Sequence, residues 1–462
     1  MLLATLLPFV FAFALSLILT PVVRAVALRW QLVDVPDNRR KIHRQPIARI
    51  GGVAILLALV LSGFAAALAS PEIRQTFEAL TPAAALIFLV GILDDVLGLK
   101  PWHKLAIEVL AGVLIVSSGI RIGGLDTLPL HPWPGALLTI LWLILCMNAL
   151  NLIDGLDGLA AGVACLVALA ILIASLLHLD FSLTIAAAIL AGALLGFLSY
   201  NFNPATIFLG DSGSLLIGLL LGCYSVLWSN HSKNVFEMAA PLMVLAVPLT
   251  DTSIAILRRF LRAQPIFSAD RSHIHHRLLA RGFTHRRAVV TLYIATAIAG
   301  LFALGVTIAQ GFWSPLVIAA FGCCALLAVQ RLGYVEFKAA KRVLTPDAFQ
   351  REVNAQLAVQ TFEDRLSEAG TARDCWAVIQ DASQEFGFRP IRMQLGEQKF
   401  ISEPDRASAP HWALRMPISQ DGWIELSHEL GPADHANAVL PIAETIRKVL
   451  GSKARSMGAV AP

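Results

Sequence analysis

Four polar residues stand out within one apolar part of the sequence. Asn148, Asn151, Asp154 and Asp157 fall within ten residues, and long apolar runs flank them on both sides. Each Asp is followed by Gly, which permits a turn and would hold both carboxylates on one compact bend. Polar groups are costly where lipid begins, so the cluster indicates a functional site. The alternative is a plain reverse turn between two helices.

A pair of adjacent carboxylates, Asp94 and Asp95, ends another apolar run. Adjacent acids repel each other and the helix dipole opposes them at a C-terminus, so they indicate a bound cation. Oxygen ligands suit Mg²⁺, and Mn²⁺ is the alternative metal. Asp211, in the run Gly-Asp-Ser-Gly-Ser, is a further candidate ligand, unless it only caps the helix that follows. A solvated helix end is the alternative for the pair.

Two basic segments, 24–49 and 258–288, carry most of the remaining candidates. A Gly pair, Gly51 and Gly52, follows the first segment and opens a helix, and cations beside a helix N-terminus suit an anionic ligand. The second surrounds three His with arginines and has no Cys nearby, which favours phosphate oxygens over a transition metal. Ordinary basic flanking of membrane helices is the alternative. The candidate anion-binding residues, with Lys104 added from the loop at 100–104, are Lys41, His43, Arg49, Arg258, His273, His275, His276 and Arg277.

The composition is that of a membrane protein. Hydrophobic residues make up 56% of the 462 residues and charged residues only 15%, with a mean hydropathy of +0.69. Soluble domains are about one quarter charged, so most of the chain is expected to lie in lipid. The six Cys have no paired spacing, which predicts neither a zinc site nor disulfides. No nucleic acid partner is expected.

Eleven apolar stretches are long enough to cross a bilayer core of roughly 30 Å. The predicted fold is an all-α polytopic membrane protein with about eleven transmembrane helices, at 2–22, 50–69, 82–99, 104–120, 135–153, 156–178, 182–201, 207–228, 239–257, 289–309 and 312–331. The positive-inside rule puts the two basic segments in the cytoplasm and the N-terminus outside. An odd number of spans then returns the C-terminus to the cytoplasm, and every motif described above faces that side.

Two acids, Asp251 and Glu108, lie inside predicted spans. They are interpreted as polar contacts between packed helices, with a proton or substrate path as the alternative. A secondary transporter is the main competing function, but transporters place their polar groups near the midplane, usually within repeated halves. Here the polar groups gather at helix ends, and no repeat is visible. A purely structural scaffold would leave the polar clusters unexplained.

After Arg331 the sequence becomes soluble in character. Residues 1–335 are predicted to form the transmembrane domain, and residues 340–462 a small cytosolic α/β domain. The hydrophobic pattern of the second predicts helices and strands, with helices at 346–368, 374–386 and 434–450 and strands at 391–396, 412–418 and 422–428. It contains no compact catalytic motif, which favours a regulatory or docking role.

The ordered motifs resemble those of the polyprenyl-phosphate N-acetylhexosamine-1-phosphate transferases, a membrane family that initiates bacterial surface polysaccharides. The resemblance covers residues 40–285 and is carried by His43-Arg-Gln-Pro46 to Gly52, Asp94-Asp95, Asn148 to Gly162, Asn203-Pro-Ala to Ser214, and His273-Ile-His-His-Arg-Leu-Leu. Ala48 stands where relatives often carry a second Pro, a difference that removes no chemical group.

The resemblance implies a Mg²⁺-dependent transferase with its active site on the cytoplasmic face of the bacterial inner membrane. A UDP-N-acetylhexosamine, with UDP-N-acetylglucosamine favoured, would pass its sugar-1-phosphate to undecaprenyl phosphate, and UMP would leave. Asp94, with Asp95 beside it, would be catalytic and deprotonate the lipid phosphate, while Asp211 and Asp95 would bind the metal. The nucleotide sugar would contact Asn148, Asn151, Asp154, Asp157, Asn203, His273, His275, His276 and Arg277. The lipid phosphate or the diphosphate would contact Lys41, His43, Arg49, Lys104 and Arg258.

The residues leave two choices open. Direct attack by the lipid phosphate and a two-step route through an aspartyl intermediate both fit them. N-acetylglucosamine, N-acetylgalactosamine and deoxy-N-acetyl sugars also fit equally, although the His-Ile-His-His form resembles the enzymes of simple sugars and not the muramoyl-pentapeptide enzyme. Besides these substrates and membrane lipid, downstream glycosyltransferases or a second copy of the chain are candidate partners.

Overall fold

The computed structural model describes residues 2–34, 46–125, 128–232, 234–261, 273–309, 312–331, 359–386, 388–395, 398–402, 411–419, 422–429 and 443–451. The chain divides into two compact units, Met1–Tyr334 and Val335–Pro462. The described part of the first unit is almost entirely helical, and the second combines helices with an antiparallel sheet.

The described part of the first unit is a bundle of helices. In its described residues these are α1 (Leu2–Arg29), α2 (Gly52–Ala67), α3 (Pro71–Leu97), α4 (Pro101–Ser117), α5 (Pro132–Ile153), α6 (Leu159–His178), α7 (Phe181–Asn201), α8 (Gly210–Asn230), α9 (Ala240–Val244), α10 (Ala246–Leu261), α11 (Ile274–Ala280), α12 (His285–Ile308) and α13 (Trp313–Arg331). Two short antiparallel strand pairs accompany them, β1 (Val33–Asp34) with β2 (Ile47–Ala48) and β3 (Gly124–Leu125) with β4 (Leu128–Pro129).

Of the eleven predicted membrane spans, not all are confirmed by the described helices. Of the described helices, eight are long and apolar enough to cross a membrane, namely α1, α3, α5, α6, α7, α8, α12 and α13. The bent pair α9–α10, which turns by 74°, makes nine if it forms one span. A helix occupies each of the other two predicted segments, but α2 has 16 residues and α4 has 17. At about 1.5 Å per residue, each is shorter than the roughly 30 Å of a bilayer core. The chain is therefore a polytopic helical membrane protein, with eleven full spans not established.

Close helix contacts at the centre of the bundle depend on glycine. α7 packs against α1 and α6, and α8 packs against α3 and α5. A Cβ on Gly192 of α7 would collide with the carbonyl oxygen of Phe9 in α1, and one on Gly91 of α3 would collide with the backbone of Ser212 in α8. Small residues allow such approach in lipid, where packing contributes much of the association energy. The second contact brings the end of α3 onto the start of α8.

The loop before α2 is joined to the loop before α8 by backbone hydrogen bonds. The N–H groups of Gly51 and Gly52 donate to the carbonyl oxygens of Phe208 and Leu209, both at 2.9 Å. The Phe208 N–H donates in return to the Ala48 oxygen at 2.7 Å. These bonds satisfy N–H groups that a helix start leaves without helical partners. They also place the residues on either side of both loops at the same end of the bundle.

The second unit is a four-stranded antiparallel sheet packed against helices. The helical residues are 359–368 (α14), Ala372–Phe386 (α15) and 443–451 (α16), and the strands are β5 (Phe388–Leu395), β6 (Gln398–Ile401), β7 (His411–Ser419) and β8 (Gly422–Glu429). The strand order is β6-β5-β8-β7. The predicted segments 346–358 and 434–442 lie outside the described residues, and β6 is a strand that the sequence pattern did not reveal.

One face of this sheet is apolar and forms the core of the unit with the helices. Alternate residues of β5 and β8 are buried on that face, as expected for a strand period of two. The buried residues that meet there include Phe362, Leu366, Cys375, Ile379, Ile391, Met393, Ile424, Leu426, Ile446 and Leu450. The second unit therefore has a hydrophobic core of its own.

Candidate active site

The turn between α3 and α4 places a carboxylate beside an amine. α3 ends where Gly98 takes a left-handed conformation (φ 66°) and donates its N–H to the Asp94 carbonyl oxygen at 2.9 Å. The Asp94 side chain then lies at the helix end, where Oδ1 accepts the Leu99 N–H at 2.6 Å. Lys104, in the first turns of α4, donates from Nζ to Asp94 Oδ2 at 2.8 Å. The turn thus holds an ion pair at the end of the bundle.

Asp95 is oriented toward the first turn of α8. Its Oδ1 accepts the N–H of Asp211 at 2.9 Å, and its Oδ2 accepts the N–H and the hydroxyl of Ser212 at 3.0 and 2.9 Å. A carboxylate is favoured at a helix N-terminus because it meets unpaired N–H groups and the positive end of the dipole. The Asp95 side chain is only 1% exposed. The structure therefore places Asp95 as a cap that fixes the start of α8, with both oxygens engaged by protein.

Asp211 joins these two turns into a carboxylate cluster, which consists of Asp94, Asp95 and Asp211 with the cations Arg49 and Lys104. Lys104 Nζ donates to Asp211 Oδ2 at 2.5 Å. Arg49 lies with Nη2 at 3.9 Å from Asp211 Oδ1 and Nε at 3.3 Å from Asp95 Oδ1. The residues come from four parts of the sequence. With all three carboxylates ionised, two cations leave one negative charge uncompensated. A third positive charge would neutralise the cluster.

The cluster fits a divalent metal ion through two of its acids. Asp94 and Asp211 converge on one position, which Lys104 Nζ shares. Mg²⁺ typically takes one or two protein carboxylates and completes its shell with water and substrate phosphates. Across the described residues, no group of three or more His, Cys, Asp or Glu side chains is arranged to hold a metal. A bound Mg²⁺ or Mn²⁺ would therefore rely on Asp94 and Asp211 together with oxygens from the substrates.

The turn between α5 and α6, residues 154–158, is tied to two neighbouring elements. Asp157 Oδ2 accepts hydrogen bonds from Asn203 Nδ2 and from the Ala205 N–H, both at 3.0 Å. Gly158 has φ 77°, a conformation that L-residues rarely adopt, and its carbonyl oxygen accepts the Tyr293 hydroxyl at 2.5 Å. The predicted residues Asp157 and Asn203 thus come together, and Tyr293 of α12 anchors the same turn.

Asp154 lies in the same turn and within the electric field of the carboxylate cluster. Burial, followed by repulsion from Asp211 and Asp95, raises the pKa of Asp154 to about 8, and attraction to Arg49 offsets only part of this. A carboxyl with such a pKa is mostly protonated at neutral pH and can donate a hydrogen bond. Asp154 is therefore an acid of this site whose charge changes near physiological pH.

The start of α11 is attached to α10 through Asp251. Its Oδ1 accepts the Ile274 N–H at 2.7 Å, and its Oδ2 lies 3.1 Å from Nδ1 of His273. Both Asp251 and His273 are buried. The predicted polar contact for Asp251 is thus present, and it holds one of the predicted site histidines.

His275 lies against the 154–158 turn, and the rings of His273 and His276 lie beside it. A Cβ on Gly155 would lie 2.5 Å from His275 Nε2, so this glycine makes room for the imidazole. The rings of His273 and His275 are parallel with centroids 5.8 Å apart, and those of His275 and His276 are 4.3 Å apart. Burial and the adjacent His276 lower the pKa of His275 to about 3. His275 is therefore neutral at physiological pH and can act as a hydrogen-bonding group but not as a cation.

The two asparagines of α5 bond to neighbouring helices. Asn148 Nδ2 donates to Glu108 Oε2 of α4 at 2.6 Å, and Asn151 Nδ2 donates to the Ser214 hydroxyl of α8 at 3.0 Å. The predicted helix-to-helix role of Glu108 is thus observed. The structure places both asparagines at helix interfaces that support the site.

The remaining predicted residues differ in burial, and two of them lie outside the described residues. Arg258 is 2% exposed near the end of α10, and His276 and Arg277 are half-buried on α11. Lys41 and His43 fall outside the described residues. The structure thus assembles a carboxylate cluster and a turn with its histidines, while Arg258 belongs to the buried part of α10.

The sequence is similar to bacterial proteins that are named as transferases. It is 39% identical over 296 residues to a Bacillus subtilis protein named "Probable undecaprenyl-phosphate N-acetylglucosaminyl 1-phosphate transferase", covering 62% of this chain and 80% of the relative. The chain belongs to glycosyl transferase family 4, the polyprenyl-phosphate N-acetylhexosamine-1-phosphate transferases. The family description "Glycosyl transferase family 4" matches residues 78–229. That segment of the family 4 chain contains all three acids of the carboxylate cluster.

Two further relatives show the breadth of the family. The family 4 chain is 37% identical over 303 residues to the decaprenyl-phosphate N-acetylglucosaminephosphotransferase of Mycolicibacterium smegmatis, covering 59% of this chain and 74% of that protein. It is 35% identical over 321 residues to the phospho-N-acetylmuramoyl-pentapeptide-transferase of Moorella thermoacetica, covering 64% and 98% respectively. The Bacillus and Mycolicibacterium names both contain a polyprenyl phosphate and N-acetylglucosamine. The Moorella name contains phospho-N-acetylmuramoyl-pentapeptide, so the relatives differ in the sugar.

Tyr293 is a site residue of the family 4 chain that the motifs did not indicate. It lies in an apolar span, where a tyrosine hydroxyl needs a hydrogen-bond partner. Gly162 faces it, and a Cβ there would collide with the Tyr293 hydroxyl. The pairing of a small residue with a lone tyrosine could have signalled the contact, but two helices far apart in sequence cannot be matched from sequence alone.

We predict that Asp154→Asn gains thermal stability over the parent as pH rises. The unfolded chain ionises Asp154 near the usual pKa of about 4, whereas the folded protein keeps it protonated up to about 8. The folded parent therefore loses stability between these two pH values, and Asn cannot ionise. Melting temperatures in metal-free detergent from about pH 5 to about pH 9 should diverge and then level off above about pH 8. Asp364→Asn, exposed on α14, is the control, and a pH-independent difference would contradict the raised pKa.

Proposed function

We propose that this chain transfers N-acetylglucosamine-1-phosphate from UDP-N-acetylglucosamine to undecaprenyl phosphate and releases UMP. The observation that carries the proposal is the carboxylate cluster, in which Asp94 and Asp211 meet Arg49 and Lys104 at the end of a membrane bundle. Two anionic substrates, one soluble and one anchored in lipid, need such cations to approach each other. The names of the Bacillus and Mycolicibacterium relatives support the same donor sugar and lipid class.

The chain's residues supply positioning and proton transfer. A lipid phosphate oxygen forms a bond to the phosphorus next to the sugar, and the bond from that phosphorus to the UMP oxygen breaks. We assign Asp94 as the base that takes the lipid phosphate proton, and Arg49 and Lys104 as the groups that hold phosphate oxygens. Mg²⁺, held by Asp94 and Asp211, would neutralise charge on the diphosphate. A route in which an Asp94 oxygen attacks first is compatible with the same arrangement.

The 154–158 turn and the histidines are proposed to bind the nucleotide sugar. Asp154, protonated at neutral pH, can donate to a phosphate or sugar oxygen, and neutral His275 can hydrogen-bond without repelling the metal. Asp157 and Asn203 bond to each other, which makes them the frame of this subsite. Asn148 and Asn151 are proposed to act from the surrounding helix interfaces.

We propose that the site faces the cytoplasm of the bacterial inner membrane. The basic segments 24–49 and 258–288 flank helix ends that carry the site, and cytoplasmic loops are enriched in Lys and Arg. Nucleotide sugars are cytoplasmic, so this side suits the donor. A tagged protein whose 24–49 segment is modified only from the outer side by impermeant reagents would refute this orientation.

The same chemistry with a different donor is the second candidate. The Moorella relative, named a phospho-N-acetylmuramoyl-pentapeptide-transferase, is covered over 98% of its length. The transporter interpretation is not supported, because the relatives are transferases by name.

The decisive assay measures UMP release by the detergent-purified full chain with undecaprenyl phosphate and Mg²⁺. The donor panel contains UDP-N-acetylglucosamine, UDP-N-acetylgalactosamine and UDP-N-acetylmuramoyl-pentapeptide. UMP release that requires both lipid and metal, and is fastest with UDP-N-acetylglucosamine, is the expected result. Preference for another donor would correct the sugar, and no release with any donor would refute the proposed reaction.

The second unit is proposed to regulate the transferase or to dock a downstream glycosyltransferase. It has its own hydrophobic core, and its described residues add none of the site groups discussed above. Truncation after residue 338 tests this role. Unchanged UMP release, regulation and partner recovery in the truncated chain would contradict it.

A further inference from the structure

Asp251 is a buried carboxylate with a specific pair of partners. It is 2% exposed on α10, and both of its oxygens meet the first residues of α11. It lies outside the sequence motifs that predict the site, in a segment whose pattern indicates only a contact between packed helices. A buried acid that holds a site histidine can do more than join two helices.

The contact with Asp251 favours one arrangement of hydrogens on His273. Oδ1 of Asp251 accepts the Ile274 N–H at 2.7 Å, and Oδ2, a carboxylate oxygen that accepts hydrogen bonds, lies 3.1 Å from His273 Nδ1. Nδ1 therefore donates its hydrogen to Asp251. With a single hydrogen on the ring, that hydrogen is on Nδ1 and Nε2 is the acceptor, as in other histidines oriented by a carboxylate.

The orientation of His273 is transmitted to the turn that frames the donor subsite. The His273 ring is parallel to that of His275, and His275 Nε2 would lie only 2.5 Å from a Cβ placed on Gly155. Gly155 is next to Asp154, whose carboxyl lies in the field of the carboxylate cluster. A change at His273 is therefore expected to reach the 154–158 turn, which lies on the proposed nucleotide-sugar side of the site.

We propose that Asp251 is a positioning residue that holds His273 in its Nδ1–H form, so that Nε2 accepts a hydrogen bond from a hydroxyl of the UDP-sugar. This inference rests on the proposed function. In Asp251→Asn the side-chain oxygen can still accept the Ile274 N–H, while the amide donates to Nδ1. The hydrogen then moves to Nε2, which can no longer accept.

The test compares steady-state kinetics of Asp251→Asn, His273→Gln and the double variant in the full chain. Losing one hydrogen bond that leaves a polar group unpaired should reduce kcat/KM for UDP-N-acetylglucosamine by roughly 10- to 100-fold. We expect KM for the UDP-sugar to rise, KM for undecaprenyl phosphate to stay unchanged, and the double variant to be no worse than His273→Gln. The melting temperature of Asp251→Asn should stay near that of the parent, because the backbone contact to α11 survives.

Glu237→Gln is the matched control, since Glu237 is also a buried acid beside a histidine. Its Oε1 lies 3.0 Å from Nε2 of His178, the last residue of α6, whereas the 154–158 turn precedes the first residue of that helix. It should leave both KM values unchanged. Parent-like kinetics in Asp251→Asn would overturn the proposal, as would additive losses in the double variant or a rise in both KM values with a lower melting temperature.

Calorimetric binding of UDP-N-acetylglucosamine separates this inference from the proposed function. If the parent binds the nucleotide sugar but releases no UMP, the proposed reaction is refuted. In that case, weaker binding by Asp251→Asn than by the parent still supports the positioning role. Equal binding by parent and Asp251→Asn overturns it. A parent that neither binds nor reacts overturns both.

Discussion

Asp94→Asn and Asp211→Asn are each expected to reduce UMP release by roughly 10²- to 10⁴-fold, the range for loss of a general base or a metal-dependent step. The two carboxylates converge on one position at 2.8 and 2.5 Å from Lys104 Nζ. Asn keeps the shape and one acceptor oxygen but removes the charge that would bind a proton or a metal. Purified variants assayed with undecaprenyl phosphate and UDP-N-acetylglucosamine, at several Mg²⁺ concentrations, give the measurement.

Glu78→Gln provides the control for these variants because Glu78 lies on α3 with Asp94 but near its other end. It forms an exposed ion pair with Arg74, and such pairs contribute little to stability. UMP release should therefore stay at the parent level. Activity within twofold of the parent in either cluster variant would show that the acids do not take part in the reaction.

Lys104→Met is expected to slow UMP release and to make thermal stability depend on Mg²⁺. Lys104 lies between Asp94 and Asp211, and removing one partner of this partly buried ion pair costs up to about 3 kcal/mol, the lower end of the range for fully buried pairs. A divalent cation bound between the same carboxylates would restore that balance. Added Mg²⁺ should therefore raise the melting temperature of Lys104→Met more than that of the parent, and EDTA should reverse the gain.

Lys100→Met is the matched control, since Lys100 is exposed at the start of the same helix. Its melting temperature should respond to Mg²⁺ as the parent does. An equal Mg²⁺ response in Lys104→Met and the parent would mean that the metal does not share the position between Asp94 and Asp211.

The pattern of apolar segments was enough to predict the fold class and the positions of the helices. Hydropathy is a local and additive property, so each predicted segment contains a helix in the structure. The number of spans was harder to predict, because α2 and α4 fall only a few residues short of crossing. Helix ends depend on turns such as that at Gly98, which a hydropathy average does not detect.

In the candidate site too, the residue types could be predicted from local sequence, whereas their contacts could not. Asp94, Asp95 and Asp211 were recognisable as unusual acids because each follows or begins an apolar run. Their different tasks were not recognisable. Asp95 caps α8 while its neighbour Asp94 meets Lys104, because successive residues at a helix end point in different directions.

By itself, the sequence determined the membrane class, the family motifs and the residue types that could bind anions and a metal, since these depend on composition and short spacing. Only the tertiary structure decided which of them meet. Arg49, Lys104 and Asp211 come together from separate parts of the chain because glycines let α3 and α8 approach and backbone bonds join the loops before α2 and α8. The raised pKa of Asp154 arises from burial and from nearby carboxylates of other segments. The contact between Asp251 and His273 likewise joins two helices that the sequence does not pair. Such effects depend on distances in space, which a linear pattern does not contain.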